Sequence, residues 1–156
     1  MIDGVRRAYD LLILYVMNVI EEIGTDKALD LLEKASKRQG VIVFREMRRK
    51  ISPDLSTLEV GTEVYKNFMQ DAGAEISVYK KDEQSITFLI KRCPFFEAFL
   101  DVGVDCGMFL NGLCTHLTLP IIQATLNEFD PRLRVNPVMT RESIEEFCLE
   151  RIILEK

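Results

Sequence analysis

The sequence predicts an α+β fold in which N-terminal helices pack with a four-stranded antiparallel sheet that carries a helical insert between its second and third strands. Three observations predict it. Apolar residues recur at helical spacing through residue 73, two pairs of short strand-like segments follow, and a helical stretch separates the two pairs. With 156 residues, 47% of them hydrophobic, the chain suits one domain at 1–156. Its helical part is 1–73, and the sheet with its insert is 74–156.

The first two helices are predicted from apolar spacing and from their ends. Apolar residues follow a helical period over Asp3–Ile23, and Gly24 is a suitable stop. A second helix is expected from near Thr25 to Met47, although Gly40 in its interior has a poor helix propensity. Ser52-Pro53 ends it, because a residue before proline avoids helical angles.

The third helix has the clearest start signal in the chain. Ser56 and Glu59 have the spacing of a capping box, and Leu55 with Val60 has that of a hydrophobic staple. Gly73 closes the helix.

Alternation of apolar and polar residues predicts the strands. One alternating segment contains Ile76 and Val78, a second contains Phe88 and Ile90, and the polar residues 81–84 between them predict a hairpin. Two more strands are expected at residues 132–140 and 146–154. Pro137 indicates that the first of this pair lies at a sheet edge or ends there.

The helical insert lies between these pairs of strands. Cys93 occupies a helix N-cap position, Pro94 suits the first turn, and Gly103 ends the first helix. A longer helix is predicted from about Asp105, with an interruption at Pro120.

Charge and hydropathy exclude several function classes. The chain has 25 acidic and 20 basic residues, which argues against nucleic acid as a partner, since phosphate backbones need clustered Lys and Arg. No segment reaches the roughly 20 apolar residues of a membrane span, and the apolar run 11–17 lacks a signal-peptide cleavage site. We therefore expect a cytoplasmic protein without a membrane partner, whose cysteines are free thiols or ligands.

Residues 91–120 hold three of the four cysteines and the only histidine. Cys114 and His116 point about 200° apart on a helix, and Cys106 lies roughly 12 Å of helix away from Cys114. No C-x-x-C pair exists, so a self-contained zinc finger is excluded. A metal site would have to be assembled by folding, from Cys93, Cys114 and Cys148; equally, these thiols could be small apolar core residues.

Two residues of this region are candidates for catalysis. A helix N-terminus would lower the pKa of the Cys93 thiol and make it a nucleophile or ligand. His116 precedes Pro120 by four residues, so its carbonyl loses a helical hydrogen bond and the kink could admit a ligand; a lone histidine is otherwise a surface or core residue. An apolar stripe either belongs to the core or lines a ligand cavity; its members are Phe95, Phe96, Phe99, Phe109 and Leu110.

The C-terminal half resembles a known family. The segments "RCPFFEAFLDVGVD", "NEFDPRLRV" and "FCLERIIL" are similar to the L-2-amino-thiazoline-4-carboxylic acid hydrolase-like proteins, thought related to the 4-vinyl reductase domain and the TRAPP-subunit fold. The matching positions are Cys93-Pro94, Gly103, Cys114, Asp130-Pro131-Arg132-Leu133, Arg141 and Cys148.

The resemblance implies an α+β fold with helices over an antiparallel sheet and makes Cys93, Cys114 and Cys148 family positions. The implied activity is hydrolytic ring opening of 2-aminothiazoline-4-carboxylate to N-carbamoylcysteine, which we interpret as cleavage of a C–N bond in a cyclic amidine. The catalytic residues would be Cys93 and His116. The related domains imply an alternative, a non-catalytic sensor for an apolar small ligand or for zinc.

From these alternatives we predict ligand contacts from Phe96, Phe109 and Arg141, and a zinc site, if zinc is the cofactor, formed by Cys93, Cys114 and Cys148. The partner is expected to be a small-molecule ligand or substrate. A third hypothesis is a structural protein that forms a homodimer through its long N-terminal helix.

Overall fold

The computed structural model describes residues 2–103 and 113–156, without the side chains of residues 2 and 3. Three helices, a β-hairpin, a helical insert and a second β-hairpin follow one another along the chain. The helices are α1 (Ile2–Ile23), α2 (Thr25–Met47), α3 (Thr57–Asp71), α4 (Pro94–Gly103) and α5 (Thr118–Phe129), with a helical turn at 113–116 before α5. The strands are β1 (Glu75–Lys81), β2 (Ser85–Arg92), β3 (Leu133–Met139) and β4 (Cys148–Leu154).

The four strands form one sheet in the order β1-β2-β4-β3, and every neighbouring pair is antiparallel. The two hairpins meet where β2 pairs with β4, which sets Phe88 opposite Glu150 and Ile90 opposite Cys148. Pro137 lies in β3, an edge strand, where a missing N–H is tolerated. The predicted α+β fold, with its helical insert between the second and third strands, is confirmed.

Two layers of helices cover one face of the sheet. Helices α3 and α5 contact the strands, α2 packs on α5, and α1 packs on α2 and α4. The core has two clusters. The first joins the sheet to α3 and α5 and includes Val64, Tyr65, Phe88, Ile122 and Ile152; the second joins α1, α2, α4 and α5 and includes Ile13, Phe95, Phe99, Leu113 and Ile121.

The helix ends follow the signals in the sequence. The backbone N–H of Ser56 donates to Glu59 Oε2 at 2.8 Å, as a capping box requires. Gly24 and Gly73 have φ of +88° and +87°, so each ends its helix in a conformation that disfavours a side chain. In the part of the chain that the structure describes, no helix is both long enough and apolar enough to cross a bilayer.

Two element boundaries differ from prediction. The insert is interrupted at Leu117, with φ −115° and ψ −78°, and not at Pro120, which is the third residue of α5. Proline fits there because the N–H groups of the first helical turn lack intrahelical acceptors. Strand β4 begins at Cys148, two residues late, because Glu146 instead accepts the backbone N–H of Glu142 at 2.7 Å.

The kink before α5 is closed by α2. The hydroxyl of Ser36, a buried residue of α2, lies 3.2 Å from the carbonyl oxygen of His116 and 2.9 Å from that of Leu32. The carbonyl that the kink frees therefore has a protein donor. At His116 the kink is therefore a packing contact between α2 and the insert.

Gly40 allows α2 and α5 to approach closely. A Cβ atom at this position would lie 2.5 Å from Ala124 Cβ and 2.6 Å from the carbonyl oxygen of Ile121. The Thr125 hydroxyl fills the remaining space, 3.0 Å from the Gly40 carbonyl oxygen. The glycine that weakens α2 as an isolated helix is thus required by the contact between the two helices.

We expect Gly40→Ala to destabilise the protein by about 2 kcal/mol, because the added Cβ would lie 2.5 Å from Ala124 Cβ and 2.6 Å from a backbone oxygen. Such a clash belongs at the upper end of the overpacking range of about 1–3 kcal/mol, from which the gain in helix propensity of about 1 kcal/mol is subtracted. Urea unfolding followed by circular dichroism measures this change. Gly4→Ala in α1 is the matched control, because no atom lies within 4 Å of the added methyl. Equal midpoints for the two variants would contradict the close approach.

Candidate functional site

Three cysteines from three elements line one small cavity of about 30 Å³. Cys93 follows the end of β2, Cys148 begins β4 opposite Ile90, and Cys114 lies on the helical turn at 113–116. Arg141 and Glu150 line the same cavity. Folding therefore gathers the three thiols, which lie up to 55 residues apart in the sequence, around a common space.

Cys93 is the N-cap of α4. Its carbonyl oxygen accepts the N–H of Glu97 at 3.0 Å, and the N–H groups of Phe96 and Phe95 donate to its sulfur. Burial nevertheless raises the pKa of the Cys93 thiol to about 12, and these N–H groups offset only part of that rise. The expectation that the helix N-terminus gives Cys93 a lowered pKa is wrong for this structure, because desolvation is the larger effect.

The other two thiols differ in their surroundings. Burial raises the pKa of Cys114 well above its usual value. Cys148 Sγ instead accepts hydrogen bonds from Arg141, at 3.3 Å from Nε and 3.5 Å from the backbone nitrogen. Of the three sulfur atoms, only that of Cys148 has a cation as a hydrogen-bond donor within the described residues.

Glu150 places a carboxyl group in the cavity. It faces inward beside Phe88 on β2, and the Tyr65 hydroxyl donates to its Oε2 at 2.6 Å. Burial raises the pKa of Glu150, and the bond from Tyr65 works in the opposite direction. Reasoning from sequence missed Glu150. Its signal was present, because a glutamate two residues after Cys148 shares that residue's face of the strand.

Arg141, in the connection between β3 and β4, is only 2% exposed. It donates to the carbonyl oxygens of Lys91, at 2.9 Å, and of Ile90. The Phe96 ring covers the guanidinium, with its centroid 5.3 Å from the Cζ atom. Arg141 and Phe96, both predicted as ligand contacts, thus lie together at the cavity; Phe109 falls outside the described residues.

His116 contacts a different part of the molecule. Its Nδ1 lies 3.2 Å from Glu33 Oε2 on α2, and Glu33 also pairs with Lys37 at 2.7 Å. These interactions lower the pKa of Glu33, with Lys37 as the main cause. His116 does not line the cavity of the thiols, whereas Glu33 and Thr115 line a separate groove of about 460 Å³ between α2 and α5. The structure therefore does not bring His116 to Cys93.

The thiols do not have the arrangement of a metal site. Across residues 2–103 and 113–156, no three His, Cys, Asp or Glu side chains are placed to hold one ion. Two of the available donor groups also accept hydrogen bonds from other side chains. Arg141 donates to Cys148, and Tyr65 donates to Glu150. The donor set in this conformation does not fit zinc.

Two grooves adjoin the cavity. A surface groove of about 350 Å³ shares Cys93, Phe96 and Arg141 with it, so these residues form the common wall. A second groove of about 260 Å³ lies among α1, α2, α3, α4 and α5 and shares Phe95 with the cavity. Small-molecule sites typically have volumes of roughly 300–1,000 Å³, so the first groove is large enough for a ligand and the cavity is not.

Comparison with known proteins supports the family resemblance and the fold. The sequence model of the L-2-amino-thiazoline-4-carboxylic acid hydrolase family matches residues 5–144. No curated protein matches the sequence. A trafficking protein particle complex subunit 3 from Naegleria fowleri, solved covalently bound to palmitic acid, is similar with a TM-score of 0.57 and 14% identity over 96% of each chain. At this identity the likeness concerns the fold alone, and it agrees with the TRAPP-like fold that the resemblance implied.

The raised pKa of Cys93 predicts a thiol that is inert in the folded protein. At pH 8 a pKa of about 12 leaves a thiolate fraction of roughly 10⁻⁴, against roughly 10⁻¹ for the ordinary value of 9.0. We expect iodoacetamide to alkylate Cys93 at least about 100-fold more slowly in the native protein than in urea. Peptide mass spectrometry measures both rates, and comparable rates would contradict the burial of this thiol.

The same shift makes stability depend on pH. The pKa of Cys93 is higher in the folded than in the unfolded protein. Its contribution to the free energy of unfolding is therefore complete below pH 9 and is lost as the pH rises towards 12. The loss is about 1.4 kcal/mol per pH unit. Cys93→Ser, measured in parallel, isolates this contribution from those of buried tyrosines.

Proposed function

Because the chain belongs to the L-2-amino-thiazoline-4-carboxylic acid hydrolase family, we propose that it is a small-molecule hydrolase that opens the ring of a cyclic amidine. The observation that carries the proposal is the meeting of a thiol, Cys93, and a buried carboxyl group, Glu150, at one cavity beside a groove of ligand size. Covalent hydrolysis needs a nucleophile next to a proton acceptor, and these two residues supply both.

The bond that such a reaction breaks follows from its product. Conversion of 2-aminothiazoline-4-carboxylate to N-carbamoylcysteine adds one water, retains both nitrogen atoms and releases the ring sulfur as a thiol. The bond cleaved is therefore the ring C–S bond, and not the C–N bond expected from the sequence. The amidine carbon between the two nitrogens and the sulfur is the electrophile.

Cys93 is the proposed nucleophile and Glu150 the proposed proton carrier. The Cys93 sulfur adds to the amidine carbon while its proton passes to Glu150. The ring C–S bond then breaks, and Glu150 returns the proton to the leaving sulfur. A water next adds to the Cys93-bound carbon and gives its proton to Glu150, and the resulting urea departs as Cys93 recovers that proton. His116 has no step here, because its ring contacts Glu33.

The raised pKa of Cys93 is compatible with this role. A cyclic amidine is cationic when protonated, and a cation beside a buried thiol favours its thiolate. Glu150, whose pKa burial raises, is a stronger base when ionised than an ordinary glutamate. The cavity of about 30 Å³ can hold the water that hydrolysis consumes, since one water needs roughly 10–15 Å³ of such volume.

We expect the purified protein to convert 2-aminothiazoline-4-carboxylate to N-carbamoylcysteine, with release of a free thiol that a chromogenic disulfide reports. Cys93→Ala should lower kcat by on the order of 10³ or more, and Glu150→Gln by about 10²–10⁴. Glu63→Gln on the surface of α3 is the control and should keep wild-type rates. Undiminished turnover by folded Cys93→Ala would exclude the covalent mechanism.

A second candidate is the non-catalytic binding of an apolar ligand, with a specific observation in its favour. Cys93 packs against both core clusters, and Phe95 lines both the cavity and the groove among the helices. An acyl chain attached to Cys93 could follow this path. The structurally similar trafficking subunit is covalently bound to palmitic acid, which supports testing the same chemistry here.

The second candidate predicts a covalent adduct on the protein as purified. Intact-mass spectrometry would then show an acyl-sized increment on Cys93 that neutral hydroxylamine removes, as expected of a thioester, and that Cys93→Ser lacks. An adduct-free protein that hydrolyses the thiazoline would reject this candidate in favour of the hydrolase.

A further inference from the structure

In the described part of the chain, Arg141 is a buried cation that pairs with no carboxylate. Its guanidinium donates to two backbone carbonyls and to Cys148, and among the described residues no carboxylate lies within 4.0 Å of it. Removing a charge from water is costly unless an opposite charge compensates it. Within residues 2–103 and 113–156, this guanidinium, which is 2% exposed, meets only neutral acceptors, so positive charge is left for a further group to balance.

The guanidinium also has unused donors. Arginine carries five N–H groups, of which Nε serves Cys148 and the two terminal nitrogens each serve one carbonyl. One N–H on each terminal nitrogen has no acceptor within the described residues. Paired N–H groups on a fixed plane match the two oxygens of a carboxylate.

The position of Arg141 makes this charge available to a ligand. Arg141 belongs to the wall shared by the thiol cavity and the groove of about 350 Å³. The Phe96 ring covers the guanidinium, and the two carbonyl bonds fix its plane. A ligand in the groove would thus meet an oriented cation on the same wall as the Cys93 thiol.

The rest of the groove does not attract anions in general. Arg92 and Glu97, which both line the groove, form an ion pair at 2.6 Å. The remaining basic residue of the lining, besides Arg141, is Lys91. Three further glutamates, Glu75, Glu145 and Glu146, line it as well. Binding of an anion here would depend on specific pairing with Arg141 and not on the overall charge of the groove.

We infer that Arg141 is the substrate-selecting residue of this site and binds the carboxylate of a small amidine that also carries a carboxylate group. The inference rests on the proposed function for the identity of the reaction. What it adds is the property that decides which small molecules bind in the groove. It predicts that tight binding requires the carboxylate of the ligand. The amidine is the group that reacts, and an amidine without a carboxylate should bind weakly.

A purely structural role for Arg141 is the competing explanation. Its bonds to the Ile90 and Lys91 carbonyls tie the connection between β3 and β4 to the end of β2, so replacing it will cost stability in either case. Ligand selectivity distinguishes a structural role of Arg141 from a carboxylate-binding role. Loss of a purely structural bond should weaken the binding of every ligand equally, with or without a carboxylate.

The first arm of the test uses only the wild-type protein. Isothermal titration calorimetry measures the affinity for 2-aminothiazoline-4-carboxylate and for 2-aminothiazoline, which has the same ring without the carboxylate. We expect the carboxylate to improve binding about 10- to 100-fold, the value of charged hydrogen bonds of about 1.5–3 kcal/mol. Equal affinities would overturn the inference without any variant having to fold.

The second arm removes the guanidinium. Arg141→Gln should reduce the preference to within about threefold while binding of 2-aminothiazoline is retained, and Arg141→Lys should restore part of the preference. Arg151→Gln is the matched control. Arg151 donates to Thr87 on the opposite face of the sheet, so its loss removes a similar bond and should keep the preference. A preference that survives in folded Arg141→Gln would reject the assignment.

Failure of this inference is distinguishable from failure of the proposed function. Turnover of the thiazoline without a carboxylate preference would reject the role of Arg141 and leave the hydrolase standing. Carboxylate-dependent binding without turnover would support Arg141 and reject the hydrolase.

Discussion

The antiparallel pairing of β2 with β4 is the constraint on which the site depends. This register sets Cys148 opposite Ile90 and Glu150 opposite Phe88, all on the face that the helices cover. The residues between them face the other side, where Arg151 donates to Thr87. A slip of one residue would turn Cys148 and Glu150 out of the cavity, because side chains alternate along a strand. Burial of Phe88 and Ile152 on the inward face opposes such a slip, so the apolar core holds Cys148 and Glu150 in place at the cavity.

The core contains polar side chains at the thiol cavity, where apolar side chains would pack without any cost of burying charge. Within the residues that the structure describes, Glu150 is stabilised by one hydrogen bond, from a tyrosine whose ring stacks on Phe88 with 4.6 Å between centroids. Among the described residues, Arg141 is stabilised by two carbonyl oxygens, the Cys148 sulfur and the Phe96 ring, all of them neutral groups. Apolar residues of similar volume often give equal or greater stability than buried charges. A carboxyl group, a guanidinium and three thiols around one cavity are therefore not what stability alone selects, which supports the proposed chemical role of the site.

Local signals in the sequence predicted most of the fold, but they predicted only part of the candidate site. The capping box at Ser56, the positive-φ glycines and the alternation in β2 depend on residues near in sequence, and they predicted the elements. The partner of His116 did not follow, because Glu33 is 83 residues away and becomes its neighbour only when α2 packs on the insert. The pKa of Cys93 was predicted in the wrong direction for a similar reason: the helix N-terminus is visible in the sequence, whereas the depth of burial is set by residues throughout the chain. Gly40 shows the same limit, since helix propensity treats it as a defect and the contact with Ala124 makes it a requirement.

The burial that keeps Cys93 protonated also bears on how the site would choose its substrate. A neutral thiol in a cavity the size of a water is a poor nucleophile towards electrophiles in general, since the thiolate is the reactive form. An amidine cation beside it acts on the thiol through a medium of low dielectric constant, where the effect of one charge is several-fold larger than in water. The charge that makes the amidine electrophilic would then also ionise the thiol that attacks it. Arg141 does not take the place of that cation, because its Nε donates to Cys148, its terminal nitrogens donate to backbone oxygens, and its plane is covered by the Phe96 ring. Under the proposed mechanism, activation of the nucleophile is thus coupled to the presence of the correct substrate.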